Sequence, residues 1–337
     1  MHVIIEQQTN GIELIKISTK QGKIVFTNYG ASIISWKVDD NNIVLGNAVE
    51  ADEFYPTHPF FFGAAVGRYA GRIANGQFTL NGHSYQVEQN DTPHHLHGGR
   101  NGMWQRLFDY EVVEGDDQVQ VIFTTVVRSE EDNFPGNIDV KVVYTYDVTN
   151  TWTIEYFAES TEDTLFNPTN HVYFNLNRDN KVVDNHRITS DKLQMFPLDD
   201  TGMPQIETID LGRVFGSQSV TLETLFASTE PTVAQQVAKV GGLDHPFEVH
   251  DGGLIVSNQD YELHVTTDMP QMVLYTFNSP SVWAHHMNIY KAHSGITIET
   301  QSLPNDINIF GDKAASILRA NTPFYSKTAY QLKVIDA

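Results

Sequence analysis

Cysteine is absent from the 337 residues, which excludes disulfides, thiolate nucleophiles, iron–sulfur clusters and thiolate-ligated zinc. Positive charge is scarce: 21 Lys and Arg stand against 42 Asp and Glu, a formal charge of −21 at pH 7. Such a surface repels a nucleic-acid backbone or an anionic membrane, so neither is an expected partner. No apolar run reaches the roughly eighteen residues of a membrane span. The opening Met1-His2-Val3-Ile4-Ile5-Glu6 has no basic segment followed by a long apolar one, and the expected location is cytoplasmic. Internal repeats, low-complexity tracts and Pro/Ser/Gly-rich linkers are also missing, so residues 1–337 are read as a single domain.

Helical periodicity is nearly absent. Pro231 at a start, Val233, Val237 and Val240 at helical spacing and the stop Gly241-Gly242 predict one short helix, with a turn or two near Leu222 to Phe226. Period-two alternation dominates instead. It runs from Ile138 to Val148 and resumes at Trp152, Ile154 and Tyr156 after a Thr-Asn-Thr turn, the pattern of a hairpin with one buried face. Similar runs occur at 12–17, 23–27, 77–80, 119–126, 261–265, 272–276 and 295–300, each bounded by Gly, Asn, Asp or Pro. Strands so closely spaced, without helices between them, predict an all-β fold, a large antiparallel β-sandwich with a few short helices.

Five segments concentrate chemistry. Residues 60–73 are glycine-rich but lack the Gly-Lys-Ser/Thr of a phosphate loop. Their two arginines, Arg68 and Arg72, stand in a small, apolar stretch where at least one must turn inward. A salt bridge beneath a loop and a guanidinium on ligand oxygens are both open readings. His95 and His97 in His94-His95-Leu96-His97-Gly98-Gly99 would share a face of a strand and could hold a metal ion. No third ligand follows at a familiar spacing, so neither metal nor cofactor is expected. Asn167 to Leu176 packs amides into a strand-like run, as a self-satisfied turn or as the wall of a polar pocket. Gly242-Leu243-Asp244-His245 offers an acid and an imidazole. In Gly295 to Gln301, Gly295, Thr297 and Glu299 share one strand face. Glu299 is placed near the sheet's rim, where a carboxylate is ordinarily solvated. Facing a pocket with histidines, it would transfer protons, paired with a histidine across the substrate.

Taken together, the chain resembles the aldose 1-epimerase (galactose mutarotase) family. The likeness rests on GRYAGRIANGQF at 67–78, HHLHGG at 94–99, NPTNHVYFNL at 167–176, GLDHPF at 242–247, IETQSLPNDIN at 298–308 and LRANTPFYSKTAYQL at 318–332. The resemblance implies an open sugar-binding cleft on a galactose mutarotase-like sandwich. It makes Glu299 the catalytic base on the anomeric hydroxyl and His171 the acid at the ring oxygen. Arg72, His97 and Asp244 would hold the sugar, with Tyr173 beside them. Departures fall at Gly71, where the family often has Asn, at Asn305, where it usually has Asp, and at Phe277-Asn278, whose order is altered.

The expected reaction interconverts the α and β anomers of free aldoses such as D-galactose and D-glucose, without a cofactor, in a monomer or homodimer. Ionised Glu299 and protonated His171 predict a rate plateau that covers neutral pH. Two rivals are a glycosidase using Asp244 and Glu299, and a non-catalytic sugar-binding or sugar-sensing sandwich. A phosphorylated sugar would direct attention to Arg68.

Overall fold

The computed structural model describes residues 1–46, 60–179, 181–280 and 290–335. The all-β expectation holds. A nine-stranded antiparallel sheet forms one layer, running in space through 109–114, 118–127, 138–147, 151–160, 324–334, 261–267, 254–257, 187–189 and 219–221. The hairpin read from alternation is its centre, with Tyr144 opposite Ile154 and Tyr146 opposite Trp152. Its turn is fixed by Asp147, whose carboxylate accepts from the amides of Thr149 and Thr151, while Asn150 takes the left-handed conformation at φ 56°.

The second layer is a seven-stranded sheet in the order 209–210, 194–195, 244–248, 271–275, 296–301, 173–174, 44–45. A five-stranded N-terminal sheet over 2–42 packs beside them. Aromatic contacts knit the sheets: Trp36 meets Trp152 at 6.4 Å and Phe174 meets Tyr330 at 5.3 Å between ring centroids. The apolar core gathers side chains from all three sheets, from Ile15 to Leu332.

Both helices expected from sequence are present, Leu222–Phe226 and Pro231–Val240. The second begins with Glu230 accepting from the Val233 amide at 2.7 Å and ends at Gly241 with φ 74°. Short helical turns at Ser129–Asp132, Leu211–Phe215 and Asp306–Phe310 have too few residues to show a period.

Of the two readings of Glu299, the structure takes the second. Glu299 stands two residues before the end of its strand, Ile296–Gln301, but is not solvated: the strand lies between 271–275 and 173–174, and all six residues are buried. Ile296 and Ile298 enter the core, while Thr297 and Glu299 face the other side of the sheet. Over that face lie the 60–73 segment, the histidine run, the 196–204 loop and the end of the Pro231–Val240 helix, leaving a cavity of about 400 Å³.

Candidate active site

Glu299 forms the floor of this cavity at 3% exposure. Its Oε1 accepts from the Thr297 hydroxyl at 2.9 Å and lies 3.5 Å from His171 Nε2. Burial pushes the carboxyl up to about 8; Thr297's hydrogen bond and Arg72 pull against the rise, and Asp244 adds to it. Desolvation thus favours the protonated carboxyl, in the direction that would carry the acid limb of a rate profile upward in pH. Glu299 and His171 also stand side by side, not across a substrate.

His171 reaches this position because its backbone is clamped: its amide donates to Ala64 O at 2.9 Å and its carbonyl accepts from Gly63 at 3.0 Å. The amides around it are scaffold. Asn167 bonds both ways with Ser302, Asn170 donates to Gly63 O and the Tyr144 hydroxyl, and Asn175 donates to Lys181 O and Ser294 O. Both readings of that segment hold, since the amides satisfy the backbone while His171 and Tyr173 line the cavity.

The histidine run divides. His95 and Leu96 pair with Ile73 and Arg72, but His97 leaves the strand with φ 51°. The two imidazoles thus part company instead of sharing a face. His95 turns beneath, its Nδ1 bonded to Glu88 O at 2.7 Å, and His97 enters the cavity. There the ligand atoms of His97, His171 and Glu299 gather within 4.8 Å, a set that could hold a metal by proximity. The donor chemistry argues otherwise. Gly71 N–H donates to His97 Nδ1 at 3.1 Å, which places the ring proton on Nε2, where a metal would need a lone pair. Metal-binding histidines ordinarily donate from the other nitrogen to a carbonyl or carboxylate, the opposite arrangement. Burial, then His171 and Arg72, hold the His97 ring well below its ordinary value, so it is a neutral donor.

Arg72 extends from the strand paired with the histidines. Its Nε donates to Asp91 at 2.7 Å and its Nη1 to Asp244 at 3.4 Å. Burial opposes its charge, but the two aspartates outweigh that and hold the guanidinium above its ordinary value. Asp244 is raised by burial and partly restored by Arg72. Its neighbour His245 points away, with Nδ1 accepting the Asp244 amide and Nε2 on Gln236 of the Pro231–Val240 helix.

Arg68 takes the other of the two readings offered for the pair. It is fully buried and absent from the cavity wall, bonded to Asp132, Pro135 O, Gly136 O and Thr164, so a ligand in the cavity does not reach it. Arg68, the residue to which a phosphorylated sugar would direct attention, is therefore not placed to read one.

Sequence reasoning missed several wall residues: Phe60, Phe61, Tyr275, Leu198 and Lys239. It also missed Asp91, an acid in a loop with no periodic signal. Phe61 carried a signal only in hindsight. Its φ of 56° is costly for an aromatic, and it wedges its ring 4.8 Å from His97 and 5.4 Å from His171. Phe277 is likewise left-handed at φ 50°, and its ring packs beneath the wall against Phe60 and Tyr173. Asn305 is outside the cavity wall, accepting from the Ala74 amide at 3.0 Å. Gly71 lines the cavity at φ 76°, where a Cβ would come within 2.8 Å of Pro304.

An antiparallel sandwich thus carries a cleft that joins a buried carboxyl–imidazole pair to hydrogen-bond donors, a setting able to move protons on a bound polar ligand. The model of the aldose 1-epimerase family matches residues 13–331. Aldose 1-epimerase of Haemophilus influenzae is 31% identical over 95% of this chain and 96% of its own length. Galactose mutarotase of Sus scrofa is 31% identical over 88% of this chain and 87% of its own. The crystal structure of galactose 1-epimerase from Lactobacillus acidophilus superposes with a TM-score of 0.85 at 23% identity, covering 99% of both chains. The chain belongs to the aldose 1-epimerase family.

Proposed function

We propose that this chain interconverts the α and β anomers of free aldoses such as D-galactose and D-glucose, with Glu299 as base at O1 and His171 as acid at O5. The carrying observation is the 3.5 Å approach of His171 Nε2 to Glu299 Oε1 at the cavity floor. O1 and O5 share one carbon, so groups that serve both must be neighbours. As Glu299 takes the O1 proton and His171 gives one to O5, the C1–O5 bond opens to the aldehyde. Rotation about C1–C2 and reclosure with both transfers reversed yields the other anomer. Arg72, Asp244, Tyr173 and the Nε2–H of His97 hold hydroxyls and steady charge on the opening ring.

A carboxyl raised toward 8 is a stronger base than an ordinary glutamate, while less of it is ionised at pH 7. Base strength rises as the ionised fraction falls, so the best compromise is close to working pH. A glycosidase fits less well. Its carboxyl pair acts across a bond at about 5 to 9.5 Å, whereas Asp244 is engaged by Arg72 and the floor carboxyl's nearest acid–base partner is an imidazole.

Polarimetry on freshly dissolved α-D-galactose and α-D-glucose tests the reading. Rotation should reach equilibrium faster than the spontaneous rate, and nitrophenyl glycosides should stay intact. A protein that binds these sugars without hastening mutarotation is a sugar-binding sandwich instead.

A further inference from the structure

We propose that Thr297 is the positioning residue that keeps Glu299 competent to accept a proton, an inference that rests on the reading of Glu299 as the base. Strand alternation puts residues 297 and 299 on one face, and the Thr297 hydroxyl bonds Glu299 Oε1 at 2.9 Å with Thr297 at 0% exposure. A threonine hydroxyl has one proton, and among the described residues Glu299 is its only hydrogen-bond partner. That proton therefore goes to the carboxylate. Threonine is stiff at χ1, and directly opposite it on the two flanking strands stand Tyr173 and Tyr275. The hydroxyl is set in place before any sugar arrives.

The other charged or titratable groups around Glu299 do not supply this contact. Asp244 opposes its ionisation and Arg72 favours it, both without a hydrogen bond to the carboxyl. His171 is at 3.5 Å, His97 is neutral, and the Tyr330 hydroxyl beneath the sheet donates to Ile298 O. The Tyr173 and Tyr275 phenols are held neutral by burial. Thr297 alone among the described residues donates to Glu299 within 3 Å. A hydroxyl bonded to a carboxylate is stronger than one bonded to a neutral acid, so the contact favours the base form. It survives protonation because the same oxygen can accept. With Oε1 held, Oε2 accepts nothing from the described residues and is left for the substrate.

The test follows the Glu299 carboxyl by difference infrared absorbance across pH, with the band assigned by its loss in Glu299→Gln, alongside kcat/KM for mutarotation. In Thr297→Val the titration and the acid limb of kcat/KM should both move to higher pH by about one pH unit, with about tenfold loss on the acid side and little change in KM. Thr297→Ser should restore both. Should the valine variant fail to fold, Thr297→Ala against Thr297→Ser gives the same comparison. A folded variant without the hydroxyl that titrates as wild type overturns the proposal, as does a serine variant that behaves like valine. If Glu299→Gln retains full turnover, the base assignment has failed; the infrared titration still decides whether Thr297 governs the carboxyl.

Discussion

Arg68 and Arg72 are four residues apart on one segment, each beside a carboxylate, and they end in opposite circumstances. Arg68 has no exposed side chain, makes a two-point bond to Asp132 and donates from Nη1 toward two carbonyls and a hydroxyl. Arg72 keeps 29% of its side chain exposed at the cavity, and among the described residues its Nη2 bonds nothing. The first cluster is closed and can only hold the fold together. The second is open to the cavity, with a donor and a raised carboxyl that the described residues leave unsatisfied. Burial alone does not separate structure from function here; unfilled hydrogen-bonding capacity does.

The largest effect should come from breaking the closed cluster. Arg68→Met strands a buried Asp132 charge, and the expected loss is about 3–5 kcal/mol in denaturant unfolding. Arg72→Met should leave the melting temperature nearly unchanged while kcat/KM falls, and a reversal of this pattern would erase the distinction between the two arginines.

Next in size is Glu299→Gln, expected to lower kcat by about 10²-fold or more while sugar binding persists in calorimetry. Stability should move the other way. A carboxyl raised to about 8 from 4.5 contributes stability that is complete below the unfolded value and is lost as pH rises through the folded one. The glutamine variant has no such loss. Its melting temperature should pull ahead of wild type between about pH 4.5 and 8, by a few degrees, and stay ahead above. Equal melting curves across that window would show that Glu299 is not under desolvation stress.

His171→Asn should slow mutarotation by about 10²-fold, since an amide cannot give a proton to O5. Wild-type turnover in a folded variant would move the acid role elsewhere. The smallest expected effects are null ones. Dialysis against a chelator should leave mutarotation unchanged, given the His97 tautomer, and activity restored by one divalent ion would refute that tautomer. Inorganic phosphate should not compete through Arg68, which is fully buried away from the cavity.

Alternation carried most of the fold, because a half-buried antiparallel strand writes its burial into every second residue. The strand 296–301 is the exception that left Glu299 open between a solvated rim and a pocket. Both its faces are covered, one by core and one by cavity, so Thr297 and Glu299 look solvent-facing in sequence although they are buried. Site residues in distinctive runs, such as His97 and His171, were legible by their company. Asp91, Tyr275 and Lys239 were not, because each reaches the site through pairing or loop closure between segments distant in the chain. The choice between Arg68 and Arg72 was equally hidden, since it depends on Asp132 and Asp244, distant in sequence from both.

The mutual clasp of Gly71 and His97, amide to ring one way and amide to carbonyl the other, has a spectroscopic consequence. A ring held neutral in a single tautomer should show two widely separated nitrogen-15 resonances that do not drift as acid is added. In a cavity where the other groups exchange protons, His97 is then an internal reference. Drift at a neighbouring resonance marks a titrating group, and drift at His97 itself marks an opening of the clasp.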